Sequence, residues 1–539
     1  MGRVASSAPV DYPQEQFSGD EQRLLEPHFT NLAEPVFCVV DLPEVTKGAL
    51  FARYSRYGGT LRRLYLDEFA GESAPQAVAA ADTERADQLY ERVFLEFGDD
   101  SVAQLGGAHL ACEWSSNVLT KILQRGRLAA YLEQSTRYIP YDRRMPSGRY
   151  RYHWDERLGA PYAEAMERIF DLYSAGLERL REWAAAQHPR GDEPQAVWER
   201  SIRAKALDAM RGLLPAASLS HVGVYASGQA YEQLLLRLAA SPLPEARDFG
   251  ERALRELRKV IPAFVKRVDM PDRGGAWVEY LRETRARASR AVARFGLQDE
   301  RPGEEPAAVQ LLRADGSEQD LIAACLFEAS DLPEEDLRAV AAGLDPAARA
   351  RLIADLAGTR ANRRHKPGRG FEALRYRFEI VSDYGAFRDL QRHRLLTAQW
   401  QRLGCGLGAD VPEEVEAAGY GDHYREGLQI SRAEHDRLRE QGLVEEASYA
   451  VSLAYRIRYV LDMNAREAMH LIELRSGREG HPSYRAVALE MLDAIATVHP
   501  AVAAAMTHVD RETEARLERL QGEMRRHRRL QAAGSGPQR

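Results

Sequence analysis

Residues 375–394 read RYRFEIVSDYGAFRDLQRHR, and the hydrophobic period of this stretch changes once along its length. Tyr376, Phe378 and Ile380 alternate with polar residues, which predicts a half-buried β-strand. From Asp383 onward the apolar residues follow helical spacing instead, up to the basic triplet at 392–394. The stretch therefore predicts a strand that leads directly into a helix ending in Arg-His-Arg.

The same layout occurs earlier in the chain, at residues 108–127 (AHLACEWSSNVLTKILQRGR). Leu110, Cys112 and Trp114 alternate on one face of a predicted strand, and helical spacing then runs to Arg125-Gly126-Arg127. The two triplets lie 267 positions apart (392 − 125), about half the chain. Each half also contains a later Arg-bearing helix, at 227–237 (SGQAYEQLLLR) and at 464–475 (NAREAMHLIELR). We infer a tandem duplication.

The composition limits the class of protein. The chain has 539 residues, of which 45% are hydrophobic and 29% charged, as is typical of a globular protein with a substantial core. The 74 basic and 81 acidic residues leave a net charge of −7, which argues against a nucleic acid polymer as the partner. No apolar run approaches the length of about 18 residues that a membrane span needs, and no signal core opens the chain. We expect a cytoplasmic protein that does not span a membrane.

The four cysteines lie far apart and form no C-x-x-C pair. Neither a disulfide framework nor a cysteine zinc site is predicted, and we expect no metal site. No nucleophile elbow, P-loop or H-E-x-x-H motif stands in a suitable context, so hydrolase, kinase and zinc-enzyme functions lack support. Any chemistry would then come from a cofactor.

The predicted organisation is a flexible N-terminal arm (1–29), a first module (30–296), a linker (297–306), a second module (307–510) and a terminal charged helix with a disordered tail (511–539). The linker is predicted from prolines, a glycine and acidic residues between Gln298 and Pro306. We expect an α+β fold in which each module is a small twisted β-sheet flanked by long helices. The charged helix, Arg511 to Leu530, either extends the assembly or is a solvated surface helix, and we favour the solvated helix.

Two clusters could bind an anion. Arg392, His393 and Arg394 repel one another unless an anion or water separates them, so they favour a negatively charged ligand; the alternative is a solvated helix end. Glu133 to Arg137 (EQSTR) places hydroxyls and a guanidinium just after the first helix, where turn amides can join them around a phosphate. The alternative there is a capped turn with an exposed arginine. Arg211, in RGLLP at 211–215, and Arg237 add two further guanidiniums to this half.

Together the halves resemble the flavin-dependent thymidylate synthases (ThyX), whose signature is R-H-R-x-x-S followed after four residues by S-x-R. In the second half, residues 392–397 (RHRLLT) resemble the first part of the signature, while Arg402 and Gly404 stand where S-x-R should end. In the first half, Gly126 and Ala130 replace the His and the Ser of the signature.

The ending of the signature and the later motifs are divided between the halves. Glu133, Ser135 and Arg137 match the E-x-S-x-R ending, and 211–215 is similar to the family's R-x-x-L-P. The second half instead retains the N-A-R helix, at Asn464 to Arg475. Each half therefore keeps the motifs that the other has lost.

The resemblance implies a site assembled from both halves. By resemblance, the flavin would be held by Arg392, His393, Arg394, Asn464 and Arg466. The nucleotide would be held by Arg125, Glu133, Ser135, Thr136, Arg137 and Arg211. The catalytic arginine near the pyrimidine, which would stabilise negative charge developing on the ring, would be Arg475 or Arg237.

The implied reaction is the reductive methylation of dUMP to dTMP. It would use FAD as the flavin, NADPH as the reductant and methylene-tetrahydrofolate as the carbon donor, in a homodimer that reproduces the family's four modules. Two alternatives stay open: a catalytically inactive protein that binds flavin or nucleotide in a regulatory or structural role, and a flavin enzyme that acts on another pyrimidine nucleotide.

Overall fold

The computed structural model describes residues 15–33, 37–54, 57–70, 104–297, 307–512, 517 and 519–534. The predicted break from Gln298 to Pro306 lies outside the described residues, and the module boundaries stay predictions. None of the helices that the structure describes combines the length and the hydropathy needed to cross a bilayer.

The described residues form helices and strands in both halves of the chain. The helices of the first half are α1 (Gly19–Leu25), α2 (Glu44–Tyr54), α3 (Leu61–Leu64), α4 (Asn117–Leu123), α5 (Gly159–Gln187), α6 (Gln195–Met210), α7 (Gly228–Ala239), α8 (Pro244–Leu257) and α9 (Ala276–Arg294). Those of the second half are α10 (Glu318–Phe327), α11 (Glu334–Ala342), α12 (Pro346–Ala357), α13 (Tyr384–Leu390), α14 (Glu413–Ala417), α15 (Gly421–Glu440), α16 (Ala465–Arg475), α17 (Pro482–Val498), α18 (Pro500–Ala504) and α19 (Leu520–Gly534). The strands are β1 (Gly107–Ser116), β2 (Ala129–Glu133), β3 (Leu219–Ser227), β4 (Val309–Asp315), β5 (Arg375–Asp383), β6 (Thr397–Trp400) and β7 (Arg456–Asn464). The α+β prediction is confirmed.

The strands form two small sheets, of order β1-β3-β2 and β4-β5-β7-β6. By packing, the chain divides into two compact units. The first contains 1–112, 128–132 and 223–295, and the second contains 113–127, 133–222 and 296–539. The second unit therefore gathers segments of both sequence repeats, including every arginine predicted for the site except Arg237.

The four-stranded sheet confirms the strand predicted at 375–382. β5 pairs antiparallel with β7, from Arg375 opposite Asn464 to Asp383 opposite Arg456. The predicted inner face of β5, with Tyr376, Phe378 and Ile380, is completely buried. This buried face fixes the register, because a shift by one residue would expose all three apolar side chains.

The strand-to-helix junctions form as predicted, but the helices end earlier. The Ser116 side chain caps α4 by accepting from the Leu119 N–H, and Asp383 caps α13 by accepting from the Ala386 N–H. The prediction that the helices end in the basic triplets is wrong, since α4 ends at Leu123 and α13 at Leu390. The chain turns there because β2 and β6 begin within six or seven residues of the helix ends.

Trp114 also differs from the prediction. Its backbone lies in the left-handed region (φ 57°) and its side chain is half-exposed, although Cys112 on the same predicted face is buried. The Trp114 N–H donates to His221 Nδ1 at 3.1 Å. This local hydrogen bond accompanies a backbone conformation that alternation of hydrophobic residues cannot predict.

Equivalent residues of the two repeats contact each other in the second unit. The Tyr384 hydroxyl donates to the Asn117 carbonyl at 3.1 Å, and Gln391 Nε2 donates to the Gln124 carbonyl at 3.2 Å. Both pairs are separated by 267 positions, the spacing of the two triplets. Residues meet their own equivalents where an approximate two-fold axis relates two copies, so these contacts support the duplication independently of sequence motifs.

The terminal charged helix lies at the surface, with its described side chains exposed or partly exposed, and it also packs against another helix. α19 begins at Leu520 and packs against α6, and Glu523 Oε2 accepts from Arg200 at 2.8 Å. Just before the helix, Arg519 is buried and donates to Asp208 at 2.9 Å. The prediction missed this packing because the charges of the helix are paired with partners far away in sequence.

Candidate active site

Glu133 is the most completely paired carboxylate of the predicted site. Its two oxygens accept from Lys121 Nζ (2.9 Å), Gln124 Nε2 (2.9 Å), Arg388 Nη2 (2.8 Å) and Arg392 Nη2 (3.1 Å). Burial raises the pKa of Glu133, but the three neighbouring cations hold it well below its usual range. Since its side chain has no exposed surface, Glu133 is placed to orient Arg392 rather than to touch a ligand.

Asp389 is the point at which arginines of both halves meet. Its Oδ2 accepts from Arg211 Nη1 at 3.3 Å, and its Oδ1 lies 3.7 Å from Arg392 Nη1 and 4.0 Å from Arg475 Nη1. Burial raises the pKa of Asp389, but Arg392, Arg211, Arg475 and Arg137 together hold it well below its usual range. The four arginines come from the nucleotide motifs of one repeat and the flavin motifs of the other.

Arg137 is fixed by a second carboxylate. Its Nε and Nη2 donate to the two oxygens of Asp208 at 2.8 and 2.7 Å, and its Nη1 donates to the Tyr484 hydroxyl at 2.8 Å. Arg519 donates to the same carboxylate from the opposite end of the chain. A phosphate bound by Arg137 would therefore have to share this guanidinium with Asp208 and Tyr484.

A basic cavity of about 260 Å³ opens beside the Arg-His-Arg triplet. It is lined by Lys366, Arg392, His393, Arg394, Leu395, Glu467, His470, Leu474 and Arg475. Four of these residues are permanently cationic side chains and one is a carboxylate. The cavity therefore favours an anionic ligand.

His393 does not add to this positive charge. Burial lowers the pKa of His393 to about 4, although the hydrogen bond to Glu467 opposes the shift. Arg475 Nε donates to His393 Nε2 at 3.1 Å, so the proton lies on Nδ1, which is 2.9 Å from Glu467 Oε1. The three predicted basic groups of the triplet are thus two cations and one neutral imidazole.

His393, Glu467 and His470 lie close enough to be considered as metal ligands, with ligand atoms within 4.8 Å of one another. Both imidazole Nδ1 atoms face the Glu467 carboxylate, at 2.9 and 3.3 Å, and Arg475 occupies His393 Nε2. The adjoining cations also oppose a bound cation. We interpret the group as a hydrogen-bonded cluster that orients Arg475.

A larger cavity of about 520 Å³ has Arg211 in its lining. Its charged and polar lining includes Asp208, Arg211, Asp383, Tyr424 and His481. Burial lowers the pKa of His481 well below its usual range and raises that of Asp383. Acidic residues outnumber basic ones in the full lining, so this cavity is mildly acidic where the Arg-His-Arg cavity is basic. The acidic residues are Asp208, Asp383, Asp410, Glu413 and Glu414, and the basic ones are Lys205, Arg211 and Arg485.

The other predicted site residues have more local contacts. The Ser135 hydroxyl accepts from the Arg137 N–H at 3.2 Å, and Thr136 is buried beside it. Arg125 lies over the Trp400 ring at 5.0 Å. Asn464 caps α16 by accepting from the Glu467 N–H at 2.9 Å.

Arg466 and Arg237 are the two remaining predicted arginines. Arg466 donates to the Pro367 carbonyl at 2.8 Å and does not line the basic cavity. Arg237 lies near the end of α7 in the first compact unit. Arg475, the other candidate for the catalytic arginine, donates to His393 and lies beside Asp389.

Three acids and two buried cations of the site were not predicted from the sequence. They are Lys121, Asp208, Arg388, Asp389 and Glu467. One signal was available, because Asp389 and Arg392 lie three positions apart next to a helix. Lys121 and Glu133 lie twelve positions apart, on a helix and on the strand that follows it, so helical spacing does not relate them. The other pairings join residues more than seventy positions apart and leave no local pattern.

The sequence comparisons agree with this architecture. A profile of the thymidylate synthase complementing protein family matches residues 60–263 and again residues 310–501. A UPF0159 protein of Chlamydia muridarum is 36% identical over 524 residues, covering 95% of this chain and 98% of the relative. Another, from Chlamydia pneumoniae, is 34% identical over 95% of this chain and 98% of its own length. A third, from Thermoplasma acidophilum, is 30% identical over 90% of this chain and 99% of its own length.

Among solved structures, a UMP/dUMP methylase, PolB from Streptomyces cacaoi bound with 5-Br dUMP, is 20% identical with a TM-score of 0.32, over 39% of this chain and 99% of that chain. The assignment rests instead on the two profile matches, which together cover well over half of the chain. This chain belongs to the thymidylate synthase complementing protein family and carries that family's segment twice.

Proposed function

We propose that the protein is a flavin-dependent thymidylate synthase that converts dUMP to dTMP. Methylene-tetrahydrofolate would supply the carbon and NADPH the reducing equivalents, with FAD as the cofactor. Family membership supports a role in methylating a pyrimidine nucleotide, and the ThyX motifs support the choice of cofactor and co-substrates.

The convergence of arginines on Asp389 carries the proposal. Arg137 and Arg211 come from motifs kept only in the first half, whereas Arg392 and Arg475 come from motifs kept in the second. If both copies had lost their function, selection would not have kept the arginines of their remaining motifs close to one carboxylate. Selection for a single shared site explains why each half keeps the motifs that the other has lost.

The basic cavity fits the anionic part of a flavin dinucleotide. Its volume of about 260 Å³ is below the range of about 300–1,000 Å³ usual for drug-sized ligands, so it would hold one portion of FAD. Arg392 and Arg394 would pair with phosphate oxygens, and neutral His393 would hold Arg475 in place through Nε2. When bound, FAD would supply the hydride for the reductive step.

Arg475 is the residue best placed to act on the pyrimidine. Burial lowers the pKa of Arg475 while Asp389 opposes the shift, and a guanidinium keeps its charge throughout the physiological pH range. Its Nε is engaged by His393, and its Nη1 faces Asp389. A fixed cation in a partly dry site would stabilise negative charge developing on a ring oxygen without reorganising during the reaction.

One observation favours the inactive alternative. Arg137 is held bidentately by Asp208, and Arg392 is held by Glu133, so both guanidiniums already have carboxylate partners. A protein that had lost catalysis could keep such pairs for stability alone. This alternative predicts nucleotide or flavin binding without turnover.

The first test is whether the purified protein carries flavin and makes dTMP. We expect a yellow protein, release of tritium from dUMP labelled at C5 in the presence of NADPH and methylene-tetrahydrofolate, and growth of a thymidine-requiring host that expresses the chain. Flavin-free protein that neither releases tritium nor restores growth would refute the proposal. Bound flavin without tritium release from dUMP would favour the inactive alternative, or a different pyrimidine if UMP or dCMP is turned over instead.

The second test separates the two parts of the site. Arg137→Ala should mainly weaken nucleotide binding, whereas His393→Ala should mainly weaken flavin binding, because the two side chains contact different elements. Arg402→Ala is a matched control, since Arg402 is an exposed arginine that pairs with Glu445 away from these clusters. Equal loss of both ligands in both variants would contradict the division of labour.

A further inference from the structure

The contact between Asp389 and Arg475 is too long for a hydrogen bond. Asp389 Oδ1 lies 4.0 Å from Arg475 Nη1, whereas an N–H···O bond needs about 3 Å. The same oxygen is 3.7 Å from Arg392. Within the part of the chain that the structure describes, only the contact of Oδ2 with Arg211, at 3.3 Å, qualifies as a hydrogen bond of this side chain. Asp389 therefore has acceptor capacity that its neighbours do not use, although it is largely buried.

The two groups have opposite hydrogen-bonding roles. An ionised carboxylate only accepts and a guanidinium only donates. A ligand that bridges them must offer a donor to Asp389 and, next to it, an acceptor to Arg475. A phosphate offers acceptors alone, so it can satisfy the arginines but not Asp389.

A ring with adjacent N–H and C=O groups meets both demands. We propose that Asp389 accepts the N3–H of a uracil ring while Arg475 donates to the neighbouring O4, which makes Asp389 a specificity-determining residue. The inference rests on the proposed function, because methylation at C5 of uracil needs a cation near O4 rather than near N3. Cytosine reverses the pattern, with an acceptor at N3 and a donor at position 4, and would place the N3 lone pair against the carboxylate.

A purely structural role for Asp389 makes a different prediction. If the carboxylate only neutralises the surrounding arginines, its loss should change the affinity of all anionic ligands by the same factor. If it contacts the base, its loss should change the ratio between ligands that differ only at N3. The ratio is therefore the informative measurement.

The experiment is calorimetric titration of the full chain with dUMP, N3-methyl-dUMP, dCMP and the base-free probe deoxyribose 5-phosphate. The wild type should bind dUMP about tenfold to a hundredfold more tightly than N3-methyl-dUMP or dCMP, the usual cost of an unpaired buried hydrogen-bonding group. In Asp389→Ala, which removes the acceptor, this preference should fall below about threefold, while the affinity for deoxyribose 5-phosphate is retained or rises. Asp410→Ala, which removes a carboxylate paired with Arg456, should keep the wild-type ratio.

The outcomes distinguish the inference from the proposed function. Binding of dUMP and N3-methyl-dUMP with equal affinity by the wild type overturns the inference and leaves the proposed function intact. Tighter binding of dCMP than of dUMP overturns the proposed orientation of the ring between Asp389 and Arg475. Failure of every nucleotide to bind overturns the proposed function and the inference with it. The comparison of ligands on the wild type needs no variant, so it stands even if Asp389→Ala does not fold.

Discussion

Replacing Glu133 with Gln removes one buried negative charge and leaves three cations around it. The side chains of Glu133, Lys121 and Arg388 are at most 4% exposed, so water cannot replace the lost carboxylate without opening the structure. Removing one partner of a buried ion pair costs about 3–5 kcal/mol of unfolding free energy. We expect Glu133→Gln to lose a similar amount, since Gln can still accept one hydrogen bond but cannot balance the charge.

The loss should depend on pH through Lys121. Burial lowers the pKa of Lys121 to about 8 while Glu133 opposes the shift, so in the variant the pKa falls further. Between the new pKa and about 8, folded Lys121 is neutral in the variant but charged in the wild type. The folded variant then binds fewer protons than the folded wild type, and the stability deficit shrinks as the pH rises towards 8.

Urea denaturation followed by tryptophan fluorescence, from pH 6 to pH 9, measures the deficit. Glu445→Gln is the matched control, because Glu445 pairs with Arg402 at the surface and its loss should cost less than about 1 kcal/mol. Adding Lys121→Met to Glu133→Gln should recover part of the loss and remove its pH dependence. A Glu133→Gln deficit below about 1 kcal/mol at pH 7 would refute the argument from buried charge.

Three further predictions concern stability. The pKa of His393 is lowered from 6.5 to about 4 in the folded protein, so as the pH falls the imidazole is protonated first in the unfolded chain. The free energy of unfolding should therefore fall by about 3 kcal/mol between pH 6.5 and 4. In His393→Gln, denaturation curves should show a weaker dependence of this free energy on pH, and an unchanged dependence would contradict the prediction. Arg519→Ala should cost about 1–3 kcal/mol by removing a buried partner of Asp208, and limited proteolysis should cleave α19 earlier in this variant than in Arg525→Ala, an exposed control. Gly212→Ala should lower the melting temperature and cost about 1–3 kcal/mol of unfolding free energy, because a Cβ there would overlap the Tyr424 hydroxyl. Gly442→Ala is the comparison: the space around Gly442 is open but its φ is +81°, so this variant should show backbone strain alone.

The sequence predicted the parts of the fold that depend on local pattern. Alternation located β5 and its buried face, and the change of period located the start of α13 at the cap Asp383. Comparison of the halves then identified the duplication. The signals for β5 and α13 lie within about twenty residues, the range over which periodicity and capping act, and the duplication was found by comparing two such local patterns.

The parts that could not be predicted depend on contacts between distant segments. Glu133 was assigned to the nucleotide because of its motif, but its carboxylate is occupied by Arg388 and Arg392, more than 250 positions away. Asp389 and Asp208 were not identified at all, since an acid in a charged helix gives no sign of being buried. The ends of α4 and α13 were misplaced because the strands that follow them, which are only four or five residues long, carry a weak pattern.

The contacts of Tyr384 with Asn117 and of Gln391 with Gln124 place equivalent residues of the two repeats side by side. In a single chain, such equivalent positions can be substituted independently. In a dimer of identical subunits, a substitution near the two-fold axis appears on both sides at once. Fusion removes that constraint, and Asp389 shows the result, because the equivalent position in the first repeat (389 − 267) is Ile122. Because only one of the two equivalent positions carries a carboxylate, Asp389 can attract arginines from both copies. Joining the copies in one polypeptide thus lets the two sides of the axis evolve as different partners.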